Sequence, residues 1–322
     1  MREESSDAAP MRVFDYLRVS VTDRCNFRCT YCMPEEGIDW VERRDILTFE
    51  EIARLVRVFA GLGVRHLRFT GGEPTVRHGL PDLVAMCSGV PGIAELSMTT
   101  NGLLLRPMLP ALRAAGLQRL NISLDTLDRR KFFDICRRDH FDEVVASIRE
   151  ASGLFSTVKI NVCVMRGVND DEFPDFVEFA RMTGCALRFI EYMKVSPMWR
   201  QNRFLPIEDV MRWFAGRFRM APMGKTGPGP AKYWILDNGV NVGFIQTNLE
   251  TCSTCSRLRL TSFGQMRNCL YEQGGLDLRT PLRAGADDDE LTALISAKLR
   301  QKPFITHRTW EENKVYLTVT GG

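Results

Sequence analysis

Residues Thr48 to Pro74 read TFEEIARLVRVFAGLGVRHLRFTGGEP, and this stretch decides the fold class. Thr48 followed by Glu51 is a capping box, the signature of a helix start. Ile52, Leu55, Val56 and Phe59 recur at helical spacing and make one apolar face, so a helix is expected over about 50–62. A short β-type run follows at 65–70 and stops at Gly71-Gly72. A helix feeding a buried strand is the unit from which parallel sheets are built.

The unit repeats along the chain. Further β-type runs lie at 16–21, 94–99, 118–123, 157–165 and 186–190, with helical patterns at about 79–88, 106–115, 141–152, 171–182 and 207–218. The expected fold is α/β, a partial (βα)6 TIM-like barrel. Ligands of such sheets bind at the carboxyl ends of the strands. That places Thr70-Gly71-Gly72, Thr99-Thr100-Asn101, Ser123-Leu124-Asp125 and Glu191-Tyr192-Met193 on one rim, where each alone is an ordinary strand-end turn and together they suggest a shared pocket. After 220 the pattern breaks at Pro222, Gly224, Gly227, Pro228, Gly229 and Pro230, a linker composition. Short β-type runs at 232–236, 240–247 and 257–261 follow, then a helix behind the acidic start at 287–290. The expected organisation is a flexible arm over 1–14, the barrel over 15–220, and a smaller β-containing region over 221–322 closing the barrel mouth.

The chain has 322 residues, 44% of them hydrophobic and 26% charged, with a formal net charge of +3, which fits a globular protein and predicts no nucleic-acid partner. No run is apolar and long enough to span a membrane, and the start carries no secretory signal. A cytoplasmic protein is expected, in which a disulfide framework has no place. The ten cysteines therefore need another reason. Cys87, Cys136, Cys163 and Cys185 sit singly in apolar segments and read as small core residues. The other six form two groups of three.

Cys25-Asn-Phe-Arg-Cys29-Thr-Tyr-Cys32 directly follows the first strand, with spacing C-x3-C-x2-C. Three cysteines leave one over from any disulfide pairing, and a structural zinc site takes four ligands. Three thiolates around a [4Fe–4S] cluster leave one iron open for chemistry. The run RVSVTDRCNFRCTYCMP over 18–34 strongly resembles the radical S-adenosylmethionine superfamily. The resemblance implies that S-adenosylmethionine chelates the open iron and is split by one electron into methionine and a 5′-deoxyadenosyl radical. It also implies that Tyr31, Gly72 of the Thr70-Gly-Gly-Glu-Pro74 segment, Ser123 and Met193 contact that cofactor. Simple packing is the competing reading for Tyr31 and Met193.

The second group is Cys252-Ser-Thr-Cys255, followed by Arg257 and Arg259 and then Cys269. A zinc ribbon with a distant fourth ligand competes with a second open cluster here. Arg257 and Arg259 have period two and would share one face of a strand. Paired guanidiniums beside a metal site suit a polyphosphate, the alternative being a solvated basic edge. Both cysteine spacings, the Arg-x-Arg pair, the terminal Gly321-Gly322 and the segments RFTGGEPTVR, MTTNGLLL, NISLDTLD, KINVCVMRGVND and RFIEYM look like the GTP 3′,8-cyclase family over nearly the whole chain. A Ser262-Phe263-Gly264 turn stands where that family more usually has Asp-Gly, with the glycine kept.

That resemblance implies a lyase of molybdenum cofactor biosynthesis. Hydrogen is taken from ribose C3′ of GTP, C3′ closes onto guanine C8, and the second cluster holds the base. Arg18, Arg68, Thr99, Lys159, Arg257 and Arg259 would bind GTP, with Arg18, Arg257 and Arg259 indispensable for turnover, and the Gly-Gly tail would reach the active site. Cys25, Cys29 and Cys32 would hold one cluster, and Cys252, Cys255 and Cys269 the other. Implied partners are an electron donor of flavodoxin or ferredoxin type and a downstream cyclic pyranopterin monophosphate synthase, for a monomer or homodimer. The competing readings are a peptide-modifying radical enzyme with an auxiliary cluster, a two-cluster electron carrier and a zinc-stabilised binding protein.

Overall fold

The computed structural model describes residues 13–224, 227, 229–246, 255–272, 274–300 and 316–320. Six strands, β1 (Tyr16–Ser20), β2 (His66–Thr70), β3 (Glu95–Thr100), β4 (Arg119–Ser123), β5 (Thr157–Val164) and β6 (Ala186–Glu191), pair in parallel in chain order. Helices α1 (Phe49–Gly61), α2 (Leu80–Ser88), α3 (Leu109–Ala114), α4 (Arg129–Cys136), α5 (Phe141–Leu154), α6 (Phe173–Thr183) and α7 (Ile207–Ala215) intervene.

The local signals act as expected at α1. Thr48 Oγ1 accepts the Glu51 N–H at 3.2 Å and Glu51 Oε2 accepts the Thr48 N–H at 2.8 Å. Ile52, Leu55, Val56 and Phe59 are all fully buried against the sheet. The α6 helix stops where Gly184 takes a left-handed φ of 71°, a conformation glycine adopts without strain. At 106–115 a 3-10 turn (Arg106–Met108) precedes a short α3.

Three features go beyond the sequence reading. Helix α4 occupies a stretch left unassigned. Strand β7 (Met220–Gly224) lies at the start of the segment read as linker. The C-terminal strands also join the sheet. Its order is β12-β11-β10-β1-β2-β3-β4-β5-β6-β9-β8-β7, with β8 (Lys232–Leu236), β9 (Asn241–Ile245), β10 (Arg257–Leu260), β11 (Gln265–Arg267) and β12 (Leu276–Asp277). Strand β10 pairs in parallel with β1, and β9 in parallel with β6, so the C-terminal region lengthens the sheet at both edges. Among the described residues the sheet does not close. Among the described residues three further helices follow, Arg279–Arg283, Asp288–Arg300 and Leu317–Thr320, and none of the described helices is long and apolar enough to cross a membrane.

Candidate active site

The barrel strands alternate between two environments. Leu17 and Val19 are fully buried among the helices, while Tyr16 and Arg18 line an internal cavity of about 370 Å³. The same alternation repeats as Leu67-Arg68-Phe69, Leu187-Arg188-Phe189 and Leu258-Arg259-Leu260, and all four arginines line the cavity. Strand pairing sets Arg18 directly between Arg259 and Arg68.

The first cysteine loop is held at the carboxyl end of β1 by backbone bonds from two sides. The N–H groups of Arg28 and Thr30 donate to Cys136 O and Ile135 O of α4 at 3.1 and 2.9 Å. The N–H groups of Gly72 and Glu73 donate to Thr22 O and Arg24 O at 2.8 and 2.7 Å. This explains the glycine pair: a Cβ on Gly72 would stand 2.3 Å from Arg24 O, and one on Gly71 2.6 Å from Thr22 O. Gly72 borders the cavity, as a cofactor contact requires, and is also needed by the loop it touches. Glu73 is buried behind it and accepts from Thr100 Oγ1 and the Asn101 N–H at 2.6 Å each and from Thr75.

Cys25, Cys29 and Cys32 all face the cavity. Burial, then Cys29, pushes the Cys25 thiol up to about 12, and burial, then Cys29, lifts Cys32 against a hydrogen bond from the Thr318 backbone. Thiols so disfavoured as bare anions ionise when a metal supplies positive charge. The Phe27 N–H already points at Cys25 Sγ at 3.4 Å and Asn101 Nδ2 lies 3.9 Å from it, the donor arrangement that cluster thiolates take. The donor set therefore fits an iron–sulfur cluster. Cys136 is buried as expected of a core residue, but its Sγ lies 3.9 Å from Cys29 Sγ. Cys163 lines the cavity, whereas Cys87 and Cys185 are buried in the core.

Tyr31 donates to Asp125 Oδ2 at 2.7 Å, and the Cys163 N–H donates to Asp125 Oδ1 at 2.8 Å, tying the cysteine loop to β4 and β5. Burial lifts the Asp125 carboxyl to about 6. Of the rim residues expected to share a pocket, all but Leu124 line it, Ser123, Met193 and Thr99 included.

Cys255 and Cys269 also line the cavity; Cys252 and Gly321-Gly322 lie outside the described residues. Arg257 Nε donates to Cys255 Sγ at 3.2 Å. Tyr16 pairs with Arg257 in parallel register, so Cys255 stands beyond the beginning of the β1–β10 pair and Cys25 beyond its end. Cys255 and Cys25 thus lie beyond opposite ends of a five-residue strand, roughly 16 Å of chain at about 3.3 Å per residue. Between them burial, then Arg259, pushes Arg18 well below the ordinary arginine value, and burial, then Arg257, lowers Arg259 to about 10. Burial also lowers Arg68. Such a set of mutually repelling cations is relieved by a polyanion.

Lys159 does not line the cavity. It lies deeper, 9% exposed, and its Nζ donates to Tyr233 Oη at 3.0 Å. The residues that sequence reasoning missed are Glu73, Asn161, Arg188 and Tyr233. For Arg188 the signal was present: an arginine between two apolar strand residues, as at Arg18 and Arg68.

An open parallel barrel with three cysteines behind its first strand defines a radical S-adenosylmethionine enzyme. Residues 19–180 match the model of the Radical SAM superfamily, and 185–307 match Molybdenum Cofactor Synthesis C. The chain resembles Streptococcus suis SuiB bound to S-adenosylmethionine with a TM-score of 0.61 at 15% identity, over 89% of this chain and 68% of that one, a likeness of fold. It is 41% identical to the GTP 3′,8-cyclase of Syntrophomonas wolfei, over 97% of this chain and 98% of that one. It is 40% identical to GTP 3′,8-cyclase 1 of Mycobacterium tuberculosis, over 90% and 84%. The chain belongs to the GTP 3′,8-cyclase family.

Proposed function

We propose that this enzyme converts GTP to (8S)-3′,8-cyclo-7,8-dihydroguanosine 5′-triphosphate, the first step of molybdenum cofactor biosynthesis. One observation carries the reading: a single cavity is lined by cysteines at both ends and by five arginines, Arg18, Arg68, Arg188, Arg257 and Arg259. Cys25, Cys29 and Cys32 would hold one [4Fe–4S] cluster, and Cys252, Cys255 and Cys269 a second. When bound, the first cluster and S-adenosylmethionine supply one-electron cleavage and hydrogen abstraction.

The chain's own residues bind, orient and exclude water. Tyr31, Gly72, Ser123 and Met193 border the cofactor side. Arg18, Arg68, Thr99, Arg257 and Arg259 receive the nucleotide, with Lys159 acting from below, and a low-dielectric wall strengthens each contact to phosphate. Fixing ribose and base together makes closure of C3′ onto C8 effectively unimolecular. An electron donor of flavodoxin or ferredoxin type would serve the cytoplasmic enzyme, and a cyclic pyranopterin monophosphate synthase would take its product. The proposed organisation is a barrel over 15–220 and a C-terminal region over 221–322.

Loss of hydrogen from C3′ and gain of an electron and a proton on the purine leave the composition unchanged. Anaerobic incubation with dithionite, S-adenosylmethionine and GTP should therefore give a chromatographically new isomer of GTP together with 5′-deoxyadenosine. Cofactor cleavage with GTP untouched would overturn the substrate assignment and leave the radical chemistry standing.

A further inference from the structure

Tyr233 of β8 is 6% exposed, and its hydroxyl oxygen is the meeting point of two cations. Lys159 Nζ of β5 donates to it at 3.0 Å, Arg188 Nε of β6 at 3.0 Å and Arg188 Nη2 at 2.8 Å. Lys159 Nζ also lies 4.4 Å from the centre of the Tyr233 ring. Strand β9 stands between β8 and β6, so the tyrosine must cross it. It crosses at a glycine: Gly243 is the register partner of Tyr233 on one side and of Arg188 on the other. A Cβ on Gly243 would lie 2.6 Å from Tyr233 Cε1 and 2.9 Å from Cδ1 and Cζ. The row continues through Asn161 to Ser123, both on the cavity wall, as is Arg188.

A phenol oxygen has two acceptor lone pairs, and here donors from two cations are aimed at it. Burial alone raises the phenol, yet Arg188 and Lys159 together hold it below the ordinary tyrosine value. The oxygen lets two like charges share one small volume that they would otherwise leave.

We propose that Tyr233 is a positioning residue that presets Arg188, and Lys159 beneath it, for the phosphate groups of the substrate, with Gly243 as the space that admits its ring. This rests on GTP being the substrate. Tyr233→Phe removes only the oxygen. The KM for GTP and the Kd for GTP by calorimetry on the reconstituted holoenzyme should each rise about tenfold, in line with a hydrogen bond to a charged group. Little change in kcat and none in guanosine binding are expected. Gly243→Ala displaces the ring and should reproduce the split, so it decides the matter if the phenylalanine variant does not fold. Unchanged GTP binding in both variants, or equal losses for GTP and guanosine, would overturn the proposal. A wild-type enzyme that binds neither GTP nor guanosine would instead remove the substrate reading beneath it.

Discussion

Arg18, Arg68, Arg188 and Arg259 each stand between two apolar residues buried in the core, so each is fixed by packing on both sides while its charged head is turned into the cavity. The arrangement trades stability for binding: buried like charges are costly until an anion arrives. Arg259→Met keeps the volume and removes a charge. Its melting temperature should equal or exceed that of the wild type, while cyclisation falls by more than about a hundredfold; a clear drop in melting temperature would contradict this account. Arg18→Met and Arg257→Ala should lose turnover similarly with the fold retained, read by product analysis and circular dichroism. Gly72→Ala brings a methyl group against the Arg24 and Asp23 carbonyls, backbone atoms that cannot swing away. Iron in that variant should fall from about eight toward about four per chain as the first cluster is lost. At this level the sequence was readable where a motif or a period-two arginine stood out. Tyr233 was hidden because its partners lie on strands 74 and 45 residues away.

Among the elements, α4 shows why charge-rich helices escape pattern reading. Its sequence RRKFFDIC shows only Phe132, Ile135 and Cys136 to the core, and it ends at Arg137 in a left-handed φ of 56° without glycine. It matters because its last carbonyls receive the amides of the cysteine loop. The capped, strongly periodic α1 was legible for the opposite reason. The ends of β4 and β5 meet through Asp125, whose lift from the ordinary 3.8 to about 6 corresponds to roughly 3 kcal/mol. Between those values the folded chain holds a proton that the unfolded chain releases. Stability should therefore fall as pH rises from about 4 to about 6 and then level off. Asp125→Asn cannot ionise and should flatten that slope, measured by denaturant midpoints of the iron-free chain at stepped pH. Parallel slopes in both proteins would exclude Asp125 as the cause.

Across the whole molecule one sheet and one hydrophobic core run through both halves of the chain. The C-terminal helices are fastened to α1 by Arg283–Glu51 at 2.7 Å and Arg54–Asp288 at 2.8 Å, and Arg283 reaches Arg44 O and Ile46 O as well. A single cooperative melting transition is expected for the full chain by calorimetry. Truncation after residue 220 would bare the edges of β1 and β6 and should yield insoluble protein; a soluble fragment with native circular dichroism would show that the halves are independent. The barrel could be read from its repeating units. The pairing of β10 with β1 and β9 with β6 could not, because partners 241 and 55 residues apart leave no local periodicity.

The adjacency of β1 and β10 also fixes a length scale. Because the two cysteine groups stand at opposite ends of one hydrogen-bonded pair, sliding that pair by two residues would move them by roughly 7 Å relative to each other. With both clusters bound as proposed, backbone pairing would gauge the ligand, and a nucleotide whose reacting carbon falls short of or beyond that fixed interval would be held and left unreacted.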